Sequence, residues 1–499
     1  MKEPEQWGAL FPPMMPKRPS WILAGVLLFS LGSLRAQVPD DWRQQLPEPV
    51  LPGHPDWVAF YYDAWRLADA HKQKRNGQWI FDTAFDPHKT WLWDSCWILE
   101  FGKYVQGAHP DIKNPAAALD LFYGQQQEDG FISHVWPEKI DSVHNPILAM
   151  AELAYYRHFG DLPRLRRVFP KLDRFFQSVE KRAGSPSGLY RNTSWNNGMD
   201  NRPTADFIID LTAEQALTAR QLGEIAGLIG DAPRARHYAE KYETLKKLIN
   251  ARMWSEADGF YADVNLLMKP VNQWTVGAFW PLLAKVADSA RAQRLVAALN
   301  DPDNFRTPHR VPSLGRRSPA YHREGGDYWR GAVWIPTNTM VIRGLQEYGH
   351  FDLAREIAEN HLAAMCRTWR DTRTIWENYD AEQPGRQGNS AKRDFVGWSG
   401  VTPIATLIET VIGVRVDTPS RTITWHLRPE EAHGIRNLRW GASGKIQTDL
   451  FARPAGGPDR SLKLEVTSTA AFTLVMVFPQ GKQQWAIREG TQTRLVALP

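Results

Sequence analysis

Residues 145–200 read NPILAMAELAYYRHFGDLPRLRRVFPKLDRFFQSVEKRAGSPSGLYRNTSWNNGMD, and they contain the plan of the chain. Leu162, Leu165, Phe169, Leu172, Phe176 and Val179 recur on one helical face, which predicts an amphipathic helix over 161–182. The segment before it, 145–159, has the same period. Asn145-Pro146 suits an N-cap and first helical residue, as does Asn114-Pro115. Gly160 stands where the first helix must stop, and Gly230 and Gly349 recur in that role. Two helices are therefore joined by almost nothing. After them comes a long link, 183–205, that carries Asp200.

The unit repeats. Periodic segments fall near 54–75, 90–106, 114–127, 145–159, 161–182, 206–229, 231–252, 272–286, 288–299, 331–348, 351–368 and 396–413, twelve in all. The links at 160, 230, 287 and 349–350 are minimal, whereas those at 76–89, 128–144, 183–205, 253–271, 300–330 and 369–395 are long. In an up-down array alternate links share a face, so the long loops lie together, and long structured loops are more often functional than incidental. The pattern predicts a mainly α fold, an (α/α)6 toroid over 54–415.

Beyond about 418 the period changes from helical to alternating. Residues 421–427, 445–451 and 461–466 read as half-buried strands between Gly/Pro-rich turns, and 470–478 is a further apolar run. They predict a small C-terminal antiparallel β domain, sandwich-like, over 419–499, with a bracing role or a sugar-binding one. Residues 37–53, with four prolines, read as an extended N-terminal arm.

At 499 residues, 43% hydrophobic and 23% charged, the chain has material for a large core plus a smaller domain. Lys17 and Arg18 precede a 14-residue apolar run, Trp21 to Leu34, followed by Arg35-Ala36-Gln37. This is the order of a secretory signal over 1–36, short for a membrane span, and it predicts an exported protein, periplasmic or secreted. Initiation at Met15 gives a more ordinary signal; an uncleaved anchor is the competing reading. Removing 1–36 lowers the formal charge from +5 to +3, and no basic stripe points to nucleic acid. Cys96 and Cys366 allow one disulfide or two buried thiols. No His/Cys/carboxylate set has metal-ligand spacing, and no cofactor is called for.

The chemistry is concentrated in the long links. Gly198-Met199-Asp200-Asn201 and Trp376-Glu377-Asn378-Tyr379-Asp380 each set a carboxylate among indoles and amides, and Gly326-Asp327-Tyr328-Trp329-Arg330-Gly331-Ala332-Val333-Trp334 lies between them. Two carboxyl groups of unequal pKa, with aromatic faces to stack on pyranose rings, are what glycosidic cleavage requires: one protonates the departing oxygen and the other activates water. Taken singly, Asp200 also suits an Asx turn, Glu377 has Asp380 and Glu382 as acidic neighbours, and Arg330 suits an ion pair with Asp327. His134 and His144 read as loop or core residues, or as contacts to a sugar hydroxyl.

Trp91-Leu92-Trp93-Asp94, Gln127-Glu128-Asp129-Gly130-Phe131-Ile132, Ser142-Val143-His144-Asn145-Pro146, the Asp200 and Glu377 motifs, Asp327-Tyr328-Trp329-Arg330-Gly331 and Gly397-Trp398-Ser399-Gly400 occur in an order that resembles glycoside hydrolase family 63. The likeness is to its mannosylglycerate-hydrolase-like members, and it extends to family 37 trehalases. The resemblance implies an inverting α-glycosidase with Asp200 as general acid and Glu377 as general base. It also implies that Trp93, Asp94, Asp129, Trp329, Arg330, Trp334 and Trp398 shape the subsite for the non-reducing sugar. Inversion implies a carboxyl separation of roughly 6.5 to 9.5 Å. The sequence departs from relatives at Asn196-Asn197, where a Glu-Ser pair is frequent, and this bears on the substrate.

The expected function is exo-acting hydrolysis of α-glucosides or similar α-linked glycosides. The rivals are a rhamnosidase or debranching-type glucosidase on the same barrel, and a sugar-binding protein without catalysis.

Overall fold

A computed structural model describes Trp42 and residues 44–82, 86–193, 195–456, 461–478 and 481–497, apart from the side chains of 195 and 196. The signal segment expected over 1–36 lies outside the described residues. Among the described residues, and leaving 3-10 turns aside, twelve helices follow in order: α1 (Pro55–Ala70), α2 (Leu92–Gly102), α3 (Ala117–Gly124), α4 (Leu148–Phe159), α5 (Leu162–Ala183), α6 (Ile209–Ile229), α7 (Ala232–Arg252), α8 (Trp280–Leu283), α9 (Ser289–Asn300), α10 (Ile335–Glu347), α11 (Phe351–Thr372) and α12 (Thr402–Ile412). The even-numbered helices α2, α4, α6, α8, α10 and α12 touch one another in sequence and close into a ring, with the odd-numbered helices outside. The toroid is the observed fold.

The two rings differ as their environments demand. Every residue of inner helix α2 is buried, whereas outer helix α7 buries only Tyr238, Leu245 and Ile249. The short links are built alike. Gly160 and Gly230 end α4 and α6 in the left-handed conformation, at φ 73° and 87°. The next residues, Asp161 and Asp231, cap α5 and α7 by accepting from Arg164 N and Arg234 N, each at 3.0 Å.

Three expectations need correction. Helices α3 and α4 begin after Asn114-Pro115 and Asn145-Pro146 rather than on them, because Asn114 Oδ1 turns the chain by accepting from Ala116 N and Asn145 is committed elsewhere. The segment near 272–286 yields a 3-10 turn, Val276–Phe279, and only four helical residues. Helix α12 is wound as a π-helix. Of the two alternatives left open for Cys96 and Cys366, the structure has the second, two buried free thiols.

The C-terminal part forms two sheets. Their strands are β1 (Glu48–Val50), β2 (Val414–Asp417), β3 (Thr422–His426), β4 (His433–Trp440), β5 (Ile446–Pro454), β6 (Ser461–Ser468), β7 (Phe472–Phe478), β8 (Gly481–Ile487) and β9 (Gly490–Ala497). One sheet runs β1-β4-β5-β6-β9 and the other β8-β7-β3-β2. Pairing is antiparallel except between β3 and β7, which run parallel. The arm contributes β1, paired with β4. These sheets meet the ring at the C-terminal ends of inner helices: Thr418 N donates to Arg157 O at 2.7 Å, Gly441 N to His158 O at 3.1 Å, and Trp425 Nε1 to Ile412 O at 3.0 Å. The long loops lie at the opposite, N-terminal ends of the inner helices.

Candidate active site

Asp200 follows a 3-10 turn, Trp195–Gly198, whose last residues have positive φ, 52° at Asn197 and 84° at Gly198. A Cβ at Gly198 would stand 2.6 Å from Asn145 Oδ1, so both the conformation and the space require glycine. Two residues past the acid, the fully buried Arg202 pairs with Asp210 at 3.0 Å and Asp263 at 2.8 Å, tying the loop to the first turn of α6. Asn201 reaches the neighbouring loop, donating from Nδ2 to Asp327 O and accepting from Trp329 N, both at 2.8 Å. The two loops are cross-braced.

The loop so braced is strained. Asp327 has φ 35° and Tyr328 has φ 62° with ψ −112°, a region costing about 1–3 kcal/mol for a bulky residue. Gly326 permits the fold-back, since a Cβ there would meet Ala332 N at 2.1 Å. The result is functional geometry. Tyr328 Oη donates to Glu377 Oε1 at 2.9 Å, while Trp329 turns its ring to the cavity, stacked on Trp334 at 3.7 Å and 4°. Trp93 and Trp398 complete the wall, 5.5 Å apart between ring centres.

Glu377 is wholly buried and held at both ends: its N–H donates to Lys392 O at 3.0 Å, its Oε2 accepts from Lys392 N at 3.2 Å, and its carbonyl accepts from Trp398 Nε1 at 3.0 Å. Glu377 and Asp200 line one cavity of about 320 Å³, with Trp91, Trp93, Asp94, His134, His144, Tyr328, Trp329 and Trp398 among its other walls. None of the lining residues comes from the two C-terminal sheets, although Trp91 and Val135 pair with each other as a short two-stranded ribbon.

Burial raises the carboxyl pKa of Asp200 to about 6, with the Lys392 charge opposing it. The residue opens to the cavity, yet the protein around it removes enough water to disfavour the anion. Burial also raises Glu377, but hydrogen bonds from Tyr328 and the Lys392 amide favour its anion, as does the Lys392 charge, while Asp200 raises it further. Asp94, in the first turn of α2, is pushed well up, by burial foremost. A carboxyl that holds its proton up to about pH 6 thus shares the cavity with one that accepts two hydrogen bonds. His134 and His144 stack at 4.0 Å, and burial lowers them to about 4 and about 3, so both rings are neutral near pH 7. Each has a buried ring nitrogen without a hydrogen-bond partner, His134 Nδ1 and His144 Nε2.

Of the residues expected at the site, Asp200, Glu377, Trp93, Asp94, Trp329 and Trp398 meet at the cavity. Trp334 stands behind Trp329 and does not line it. Asp129 is elsewhere, accepting from Phe131 N at 3.0 Å and pairing with Arg182, because a carboxylate two residues before an amide closes an Asx turn. Arg330 pairs with Asp327 at 3.0 Å and donates to Ala320 O, and it too is absent from the lining. Tyr328 and the Lys392 amide are contributors to which the sequence reading gave no role. The one local signal for Tyr328 was its setting between Gly325-Gly326 and Gly331, which mark a backbone that must fold back on itself.

Among the described residues, Asp69, His109 and Asp111 converge as a metal could require. The Lys72 ammonium already pairs there with both carboxylates, and His109 Nδ1 accepts from two backbone amides. The donor set is that of a salt-bridged turn.

A family profile described as a mannosylglycerate hydrolase MGH1-like glycoside hydrolase domain matches residues 209–399. A second, a bacterial α-L-rhamnosidase six-hairpin glycosidase domain, matches 112–302. The chain therefore carries a glycoside hydrolase domain of the six-hairpin type. Within that class it is similar to the mannosylglycerate-hydrolase-like members of family 63, and to trehalases and glucosidases. It is 28% identical over 379 residues to an uncharacterised protein of Borreliella burgdorferi, covering 72% of this chain and 79% of that one. It is 27% identical over 234 residues to a periplasmic trehalase of Salmonella enteritidis, covering 44% and 39%, and 27% identical over 348 residues to a probable mannosyl-oligosaccharide glucosidase of Schizosaccharomyces pombe, covering 59% and 42%. The matches thus span about two fifths of the named trehalase and glucosidase. In fold, the chain resembles a mannosylglycerate hydrolase of Thermus thermophilus solved with glucose, with TM-score 0.58 and 22% identity over 69% of this chain and 98% of that one. It also resembles a Bacillus rhamnosidase, with TM-score 0.67 and 16% identity over 87% and 43%.

Proposed function

We propose that the protein is an inverting, exo-acting α-glycoside hydrolase for α-glucosides or similar α-linked disaccharides, with Asp200 as general acid and Glu377 as general base. The observation that carries this reading is the meeting of two carboxyls from separate long loops at one aromatic-walled cavity, the first raised to about 6 and the second hydrogen-bonded as an anion should be. Asp200 gives its proton to the departing oxygen; Glu377 takes one from the water that attacks the anomeric carbon. Trp93, Trp329 and Trp398 offer faces and edges to the ring, and Asp94 with the neutral His134 and His144 offers partners to its hydroxyls. Residues 1–36 act as the export signal, 54–415 as the catalytic domain and 419–499 as its brace. The match to a rhamnosidase domain over 112–302, which includes Asp200, supports an α-L-rhamnoside as the second reading.

Proton NMR of the chain from Gln37 on a panel of α-glucosides, α-mannosides and α-rhamnosides tests both. The β-anomer of glucose as first product is expected. The retained anomer would overturn the mechanism, and cleavage of the rhamnoside alone would select the second reading. Sugar binding without turnover would identify a binding protein.

A further inference from the structure

Behind the turn that presents Asp200 lies a carboxyl for which catalysis has no direct use. Glu214 is on inner helix α6 and is fully buried. Its Oε1 accepts from Asn145 Nδ2 at 2.8 Å and its Oε2 from Asn197 Nδ2 at 3.0 Å. Asn145 comes from the link before α4, and Asn197 is the left-handed residue of the acid's turn. Asn145 also packs against Gly198 so closely that it excludes a Cβ. One carboxyl and two amides thus join three segments, one of them at Asn197, three residues before Asp200.

We propose that Glu214 is a positioning residue for the general acid, acting through Asn145 and Asn197 to hold the Asn197-Gly198 turn in the geometry that aims Asp200 at the leaving oxygen. This rests on Asp200 being the acid. It also gives the asparagine at 197 a role, since a side-chain amide there meets the buried carboxyl.

The hydrogen-bond count indicates the state of that carboxyl. Both amides donate to it, and both amide oxygens, Asn145 Oδ1 and Asn197 Oδ1, lack a partner. An amide turned end for end has the same shape, so one asparagine can present its oxygen instead. A neutral Glu214 then donates its hydroxyl to one amide and accepts from the other. Burial foremost and the Asp210 carboxyl next push Glu214 well up, against the two amides, in keeping with a neutral group. Asp210 itself is paired with Arg202.

Glutamine reproduces one donor and one acceptor in the same shape, and leucine reproduces neither. The test measures wild type, Glu214→Gln and Glu214→Leu on phenyl α-glucoside, whose leaving group needs the acid, and on α-glucosyl fluoride, whose leaving group needs it little. Thermal melts check folding, and Asn197→Ala serves as a second variant. Glu214→Leu and Asn197→Ala are expected to lose about a hundredfold in kcat on the phenyl glucoside, the scale of a misplaced general acid, and far less on the fluoride. Glu214→Gln is expected to stay near wild type on both. Equal losses on the two substrates would overturn the proposal in favour of a purely structural role, as would full activity of both Glu214→Leu and Asn197→Ala. A Glu214→Gln loss matching that of Glu214→Leu would overturn the neutral clamp. Failure of the underlying assignment looks different: Asp200→Asn would then keep its rate on the phenyl glucoside, or wild type would cleave neither substrate.

Discussion

The two ends of the helical ring each enclose acids, and they treat them in opposite ways. At the N-terminal ends of the inner helices a cavity of about 320 Å³ holds Asp94, Asp200 and Glu377; at the C-terminal ends a cavity of about 490 Å³ holds Glu100, Glu409, Lys103, Arg343 and Arg415. In the first, burial prevails and all three carboxyls are raised. In the second, burial is outweighed: against it, the Lys103 ammonium and the Arg343 and Arg415 guanidinium groups bring Glu409 down to about 2, and Arg343 grips Glu100 with two bonds of 2.7 Å. The larger cavity is a charged brace beneath the β sheets. An acid saturated with cations has no proton to give, which is why the proposed chemistry is placed at the smaller cavity, where the Lys392 charge acts on Asp200 and Glu377 without holding either carboxyl below its ordinary value.

The contrast breaks first if the wrong acids matter. Asp200→Asn and Glu377→Gln should each lower kcat by about a hundred- to ten-thousandfold in steady-state assays while leaving the melting temperature close to wild type. At the other end the effects should be exchanged: Arg343→Met removes two of the bonds to buried Glu100 and leaves it Lys103 alone, which should cost about 3 kcal/mol in denaturant unfolding, with kcat/KM unchanged. A smaller effect sharpens the account within the catalytic cavity. Tyr328→Phe removes a donor to a carboxylate, a loss of about tenfold in kcat/KM, and the acid limb of the pH profile should move upward because the Glu377 anion has lost a stabilising bond. Smallest of all, Asp129→Asn should leave kcat/KM within about twofold, since an exposed ion pair with Arg182 is worth little.

Much of this layout was legible in residue order. Gly-Asp pairs at 160–161 and 230–231 combine a stop and a cap that any reader of helix chemistry can find, and their alternation with long links places Asp200 and Glu377 on one face. Physics that acts at a distance was not legible. Strand β1 pairs with β4 almost four hundred residues away, and no local pattern announces it. Inner helix α8 is only four residues long, and its Trp280-Pro281-Leu282-Leu283 is held by burial among its neighbours, too short a stretch for its own period to announce it. Asp129 and Arg330 failed to reach the cavity for a common reason: each has a partner within three residues, or on an adjacent helix, that satisfies its charge first. Tyr328 was hidden by strain, since its position depends on a backbone conformation that tyrosine by itself avoids.

The central claim is that one aromatic-walled cavity keeps Asp200 protonated while Glu377 is ionised, and the pH dependence of kcat/KM tests it most directly. A carboxyl raised to about 6 loses its proton as pH climbs through that value, so activity should fall on the alkaline side near 6. Glu377 must be ionised to act, so activity should also fall on the acid side, with that limb above the ordinary value of 4.5. A narrow, mildly acidic bell is the predicted result. Activity that stays flat or rises between pH 6 and 9 would contradict the assignment of Asp200 as the proton donor.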